Sequence, residues 1–235
     1  MIYFSHHMSV IMNINQYFEQ KEKLYENTVL YIENEQFDYD FGYLINYFTS
    51  LEIKSNKEEL THLLGMIVSI CNNYHRKDGF FDRIEQIIQY FEKDIRNMYK
   101  NSEIFNIFLS NKRLILFLLE KEVIKFDQYI YKIICEKTEP NGTRYCHYFL
   151  PEIKRIATKK QMKIIEDISL NESDIYDNYE EKRRIGENES YICSLIRNDS
   201  VEEFITYVNR TNLPLESTIK PSIFETNSFL NENQP

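Results

Sequence analysis

"SYICSLIRNDSVEEFITYVNRTNLPLES", residues 190–217, reads as a short apolar helix, a polar turn and a second helix. Ile192, Leu195 and Ile196 recur at three- and four-residue intervals, and Phe204 and Val208 stand four apart, so each segment gathers its apolar residues on one side. Asn198, Asp199 and Ser200 interrupt the pattern with residue types that favour turns. Two short helices joined this way form the unit of a stacked solenoid, in which Ile192, Leu195, Ile196, Phe204 and Val208 are expected to make the packing seam. A single hairpin cannot bury both of its sides. These five residues are therefore expected to pack against the preceding helices, leaving the far side exposed or covered by the residues that follow.

The same phrase occurs earlier in the chain. Sliding the sequence by 88 residues lays "SEIFNIFLSNKRLILFLL", from Ser102, over "SYICSLIRNDSVEEFITY", from Ser190. Ile104, Ile107, Phe108 and Leu116 then fall on Ile192, Leu195, Ile196 and Phe204. Ser102 is placed to cap the first short helix of this copy, and "RLILFLLEK" after the turn is apolar nearly all round, which assigns it to the centre of a stack or bundle.

Outward from these copies the chain keeps helical spacing. Residues 10–33 put Ile14, Tyr17, Phe18, Leu24, Tyr25 and Leu30 on one stripe of a first long helix. Asp40 is a cap for a second helix carrying Phe41, Leu44, Ile45, Phe48 and Leu51. Asn56, with Glu59 three residues later, makes a capping box for a third that runs to about Tyr74. After the Asp78-Gly79 break, Phe81, Ile84, Ile87, Ile88, Phe91, Ile95 and Met98 predict one strongly amphipathic helix. "TEPNGTRY" is a loop, and helix resumes over 144–168 with a break near Pro151. The organisation expected is a helical domain over 10–168, an acidic linker or exposed connection over 169–189, a helix pair over 190–219 and an irregular tail over 220–235.

Composition supports an all-α class of stacked helical hairpins with a solenoid start at the C-terminus. Only five Gly and five Pro punctuate 235 residues, too few turn residues for an all-β fold, while 18 Tyr and 16 Phe supply core material without any Trp. A net charge of -9 opposes nonspecific attraction to nucleic acid and favours basic or neutral partners. No stretch reaches the roughly 20 apolar residues a membrane span needs, and the N-terminus lacks a signal-peptide pattern. Cys71, Cys135, Cys146 and Cys193 are widely spaced, which suits reduced thiols and a cytosolic or nuclear compartment.

Chemistry-bearing patterns are sparse. Cys71 with His75, and Cys146 with His147, are pairs, whereas tetrahedral zinc needs three or four converging ligands. The five glycines build neither a phosphate loop nor a dinucleotide fingerprint. "EIKRIATKKQMKII", residues 152–165, gathers five basic residues and reads as the charged outer face of a packed helix rather than a membrane-surface helix. No catalytic residue, cofactor, metal or small-molecule ligand is expected. The sequence points to a protein-binding module, with an oligomerisation scaffold built on the long helices as the alternative and a Cys/His-dependent helical enzyme behind both.

"LIRNDSVEEFITYV" resembles the back half of an ankyrin repeat, although the first-helix signature Thr-Pro-Leu-His is missing and Asp199 stands where that family prefers Gly. The wider phrase "GENESYICSLIRNDSVEEFITYVNRTNLPLESTIKPSIFETNSFL", with "FFDRIEQIIQYFEKDI" and "NSEIFNIFLSNKRLILFLLEKEVI", resembles the large ankyrin-repeat family of trichomonad protists, whose members carry an N-terminal helical domain of unknown function ahead of their repeats. The resemblance covers most of residues 10–230. It implies a helical, non-enzymatic binding protein with an unidentified protein partner and no catalytic residues to carry over. Because "SIFETNSFLNENQP" leads into a well-formed repeat in that family, an end at Pro235 implies a truncated member.

Overall fold

The computed structural model describes residues 2–33, 40–73, 79–136, 145–159, 161–162, 178–214 and 222–226, without the side chains of 2–13 and 136. Every regular element among the described residues is helical, and there is no strand. The chain divides into two compact units. One comprises residues 1–66 and 77–91, the other 67–76 and 92–235.

The first unit contains α1 (Ile2–Glu33), α2 (Phe41–Ser50), a 3-10 turn (Ile53–Ser55), the start of α3 (Lys57–Asn73) and α4 (Phe80–Tyr90). Helix α1 packs against α2 and α4. Asp40 accepts from the Gly42 N–H at 3.0 Å, and Asn56 accepts from the Glu58 and Glu59 N–H groups at 3.0 and 3.3 Å; the expected box is not closed, because Glu59 pairs with Lys21 and the Asn56 N–H donates to the Ile53 carbonyl at 3.3 Å. At the other end of α1 the Arg83 guanidinium donates to the Ile32 carbonyl at 3.0 Å, satisfying a group the helix leaves without a partner. Leu24, Ile32, Leu44, Phe48, Ile84 and Ile88 fill the core.

The stripe read along α1 is only partly buried. Leu24 is inside, but Ile14, Tyr17, Phe18, Tyr25 and Leu30 are exposed. The amphipathic helix expected from Phe81 to Met98 is broken in two. Phe91 interrupts it between α4 and α5 (Glu92–Met98), where its ring is fully buried 5.3 Å from Phe48 and 4.8 Å from Tyr90.

The second unit is built round α7 (Lys112–Glu120), in which all of Lys112 to Leu118 are buried, as the all-round apolar pattern predicts. Asn111 caps it by accepting from the Leu114 N–H at 3.0 Å while donating to Asn72 at 2.8 Å. Helix α6 (Asn101–Phe108) lies against α7 and α8 (Gln128–Glu136). Its start is set by the Lys100 N–H donating to Glu103 at 2.7 Å, so Ser102 sits inside the helix instead of capping it. After a helical turn at 145–148 comes α9 (Leu150–Ile156), which opens with Pro151 in its first turn.

Two further expectations are corrected in this unit, and part of the irregular tail proves buried. The basic stretch 152–165 is not one helix: α9 ends at Ile156, and Thr158 begins a new turn by pairing with Gln161. Residues 169–177 lie outside the described residues, but 178–189, read as part of an exposed connection, holds α10 (Tyr179–Ile185) packed against α7. Within the supposed tail, residues 222–226 are anchored: Phe224 is fully buried and the Lys112 ammonium donates to the Ile223 carbonyl at 2.6 Å. Most of "TEPNGTRY" lies outside the described residues.

Gly186 ends α10 at φ +69°, and a Cβ there would meet Thr226 Oγ1 at 3.3 Å and Arg113 Cβ at 3.4 Å. Its carbonyl also accepts from the Thr226 N–H and hydroxyl, both at 3.0 Å. Gly186→Ala combines a left-handed backbone with close neighbours, and should cost roughly 1–3 kcal/mol in urea denaturation. An unchanged midpoint would show that residues 222–226 do not need this close approach.

Candidate interaction surface

Helices α11 (Tyr191–Arg197) and α12 (Val201–Thr211) form the hairpin read from the sequence. Asp199 adopts φ +51°, a left-handed backbone conformation that glycine takes most readily. Tyr191 and Tyr207 meet edge to face at 5.2 Å across the pair. Arg197 anchors the inner side, donating to the Asn188 carbonyl at 3.0 Å and pairing with Glu187 at 2.9 Å. Burial raises the Cys193 thiol pKa, against hydrogen bonding from Ser190 and the nearby Arg197.

Of the five seam residues, Leu195 is buried, while Ile192, Phe204 and Val208 are half-buried. Ile196 is corrected: it is 44% exposed, in the last turn of α11 beyond the anchored side, and Cys193 is buried in the core instead. No residue of α12 is buried. Tyr191, Ile196, Val201 and Ile205 therefore leave apolar surface open along the hairpin, flanked by Glu202 and Glu203. Beside it a groove of about 340 Å³ runs between Tyr191, Tyr207 and Arg210.

Ahead of the hairpin, α10 is held by a buried cluster that the sequence did not announce. Arg183, 1% exposed, donates to both carboxylate oxygens of Glu152 at 2.8 Å and lies 3.3 Å from Glu180. Its guanidinium carbon is 5.4 Å from the Tyr148 ring centre and 5.5 Å from that of Tyr179. The Tyr148 hydroxyl donates to the Arg183 carbonyl at 2.7 Å, and that of Tyr179 to the Tyr148 carbonyl at 2.9 Å. Burial opposes the Arg183 charge, yet attraction and hydrogen bonding from Glu152 raise its pKa overall. The same burial raises the Tyr148 and Tyr179 pKa values well above the usual phenol range.

A cleft of about 840 Å³ opens beside this cluster, with Leu116, Ile124, Phe126 and Ile156 among its walls. Its Arg183 is committed to Glu152 and its Arg184 lies 3.1 Å from Glu120. These charges hold α10 against α7 and α9. They are spent on structure.

The thiols and imidazoles weighed as chemistry are placed as follows. Cys71 is fully buried, and His75 lies outside the described residues. Cys146 is buried and its thiol donates to the Ile134 carbonyl at 3.4 Å, while the backbone carbonyl of its neighbour His147 accepts from Tyr179. Among the described residues no three His, Cys, Asp or Glu converge as metal ligands, and no helix is long and apolar enough to cross a membrane. A side-chain hydrogen bond from Cys135 lowers the Cys146 pKa, against the effect of burial. Cys135→Ala removes that bond, so the pH profile for alkylation of Cys146, followed by peptide mass spectrometry, should move to higher pH. A profile that stays or moves down would contradict the contact.

No family model matches the chain, and neither the curated proteins nor the solved structures contain a match.

Proposed function

We propose that this chain is a non-enzymatic protein-interaction module of the ankyrin-repeat type, and that it takes its partner on the open side of the α11–α12 hairpin. The observation that carries this reading is the exposure of Val201 and Ile205, one turn apart on α12, together with that of Tyr191 and Ile196 on α11. Apolar side chains held on a rigid helical pair are the usual form of a recognition surface, because little conformational entropy is lost when they are covered. The resemblance of "LIRNDSVEEFITYV" to the back half of an ankyrin repeat is in keeping with the same reading. Glu202 and Glu203 at its edge, on a chain of charge -9, favour a partner with an apolar helical face and a basic rim. The four free cysteines are in keeping with a cytosolic or nuclear setting.

Ile205→Glu tests the proposal, because a residue 52% exposed can be changed without disturbing a core. A protein captured by the unaltered chain and then purified should bind it in isothermal titration, and should bind Ile205→Glu at least tenfold more weakly. Equal affinities, with both chains showing the same helical circular dichroism, would move the partner to another surface.

A further inference from the structure

We propose that Cys135 and Cys146 are a site of reversible oxidation, at which a peroxide joins the two thiols in a disulfide that ties the end of α8 to the helical turn at 145–148. Cys135 stands in the last turn of α8, and Cys146 is the second residue of the helical turn that follows. Two contacts bring the thiols together. The Cys146 thiol donates to the Ile134 carbonyl at 3.4 Å, one of the last carbonyls of α8, which find no donor within the helix. The Cys135 side chain, one residue further on, hydrogen-bonds to the Cys146 sulfur directly. Sulfurs already in hydrogen-bond contact have only a short way to close to the roughly 2 Å of an S–S bond.

Access separates this pair from the other thiols. Cys135 is half-buried, so a small oxidant can reach it, whereas Cys71 and Cys193 are fully buried. Cys146 is 9% exposed, which suits the partner that waits for a sulfur from within the protein. The hydrogen bond from Cys135 also favours the Cys146 thiolate against the effect of burial, and the thiolate is the form that attacks.

The chemistry takes two steps and needs only a peroxide. The Cys135 thiolate attacks one oxygen of hydrogen peroxide: an S–O bond forms, the O–O bond breaks, and the departing hydroxide takes up a proton as water. The Cys146 thiolate then attacks the sulfur of the Cys135 sulfenic acid. The S–S bond forms, the S–O bond breaks, and a second hydroxide leaves as water with the proton that Cys146 gave up. Two thiols lose two electrons in all, and the peroxide is reduced to two waters. A small thiol reverses the change by exchange. Tyr148, two residues beyond Cys146, donates through its hydroxyl to the Arg183 carbonyl at 2.7 Å, so the new bond fastens α8 to the turn that supports α10.

The test treats the reduced full chain with hydrogen peroxide, denatures it in N-ethylmaleimide and digests it with trypsin without reduction. Cleavage after Lys137 and Arg144 separates the two cysteines, so only a disulfide keeps residues 133–137 and 145–154 in one species. That species is expected from monomeric chain and should vanish with dithiothreitol, while Cys71 and Cys193 remain open to the maleimide. Cys146→Ser keeps a donor for the Ile134 carbonyl and should leave Cys135 at the sulfenic acid, raising its dimedone adduct at least tenfold over the unaltered chain. If circular dichroism shows that this variant does not fold, Cys135→Ser at the half-buried position should slow oxidation of Cys146 at least tenfold. Oxidation of Cys71 or Cys193 ahead of the pair, a link found only between two chains, or Cys135 oxidised while Cys146 stays reduced would overturn the proposal.

Discussion

Arg183→Ala is expected to destabilise the protein by about 3–5 kcal/mol, because it leaves the Glu152 carboxylate buried without its cation. The size follows from the geometry. Arg183 covers Glu152 with two 2.8 Å hydrogen bonds, and the Glu152 side chain is 11% exposed, so little water can take over when the guanidinium goes. The rings of Tyr148 and Tyr179 lose their cationic neighbour at the same time. The melting temperature should fall by roughly 10 °C for a chain of this length. The double variant Arg183→Met/Glu152→Met removes both charges and should recover most of the loss, since an apolar pair of similar volume often matches a buried ion pair. A double variant as unstable as the single would mean that the pair contributes shape and hydrogen bonding rather than charge compensation.

Phe117→Ala in α7 should cost a similar amount, about 3–5 kcal/mol in urea or thermal denaturation. Phe117 is 1% exposed, in a helix where seven consecutive residues are buried, so neighbours on every side are already committed and the void cannot close. By contrast Val201→Ala on the open side of the hairpin should change stability by no more than about 0.5 kcal/mol. If the two substitutions had equal effects, α7 would not be the centre of its unit.

The helical class and the position of α7 at a core were legible because both rest on apolar spacing. So were the caps at Asp40 and Asn56, which are short-range hydrogen bonds between a side chain and the N–H groups two or three residues later. What the sequence hid was burial achieved by polar residues. In "YEEKRRIG" the residue that goes inside is Arg183, while Ile185 is 49% exposed, so the apolar pattern pointed away from the true inner face. The readable signal there was Gly186, the residue type that ends a helix in the left-handed region. Phe224 and the buried Glu225 escaped notice for a related reason: five residues of irregular chain have no period to detect. Along the hairpin, periodicity put Leu195 and Ile196 on one side, yet Leu195 is buried and Ile196 is 44% exposed, next to Arg197, which Glu187 and Asn188 hold.

A photoreactive amino acid placed at position 205 in the cells the protein comes from tests the central claim most directly. The account predicts one discrete adduct of higher mass, lost when Tyr191 and Ile196 are changed to Glu, and absent when the same group replaces Lys93 on the exposed side of α5. No adduct from 205, or the same adducts from 205 and 93, would contradict a binding surface on this hairpin.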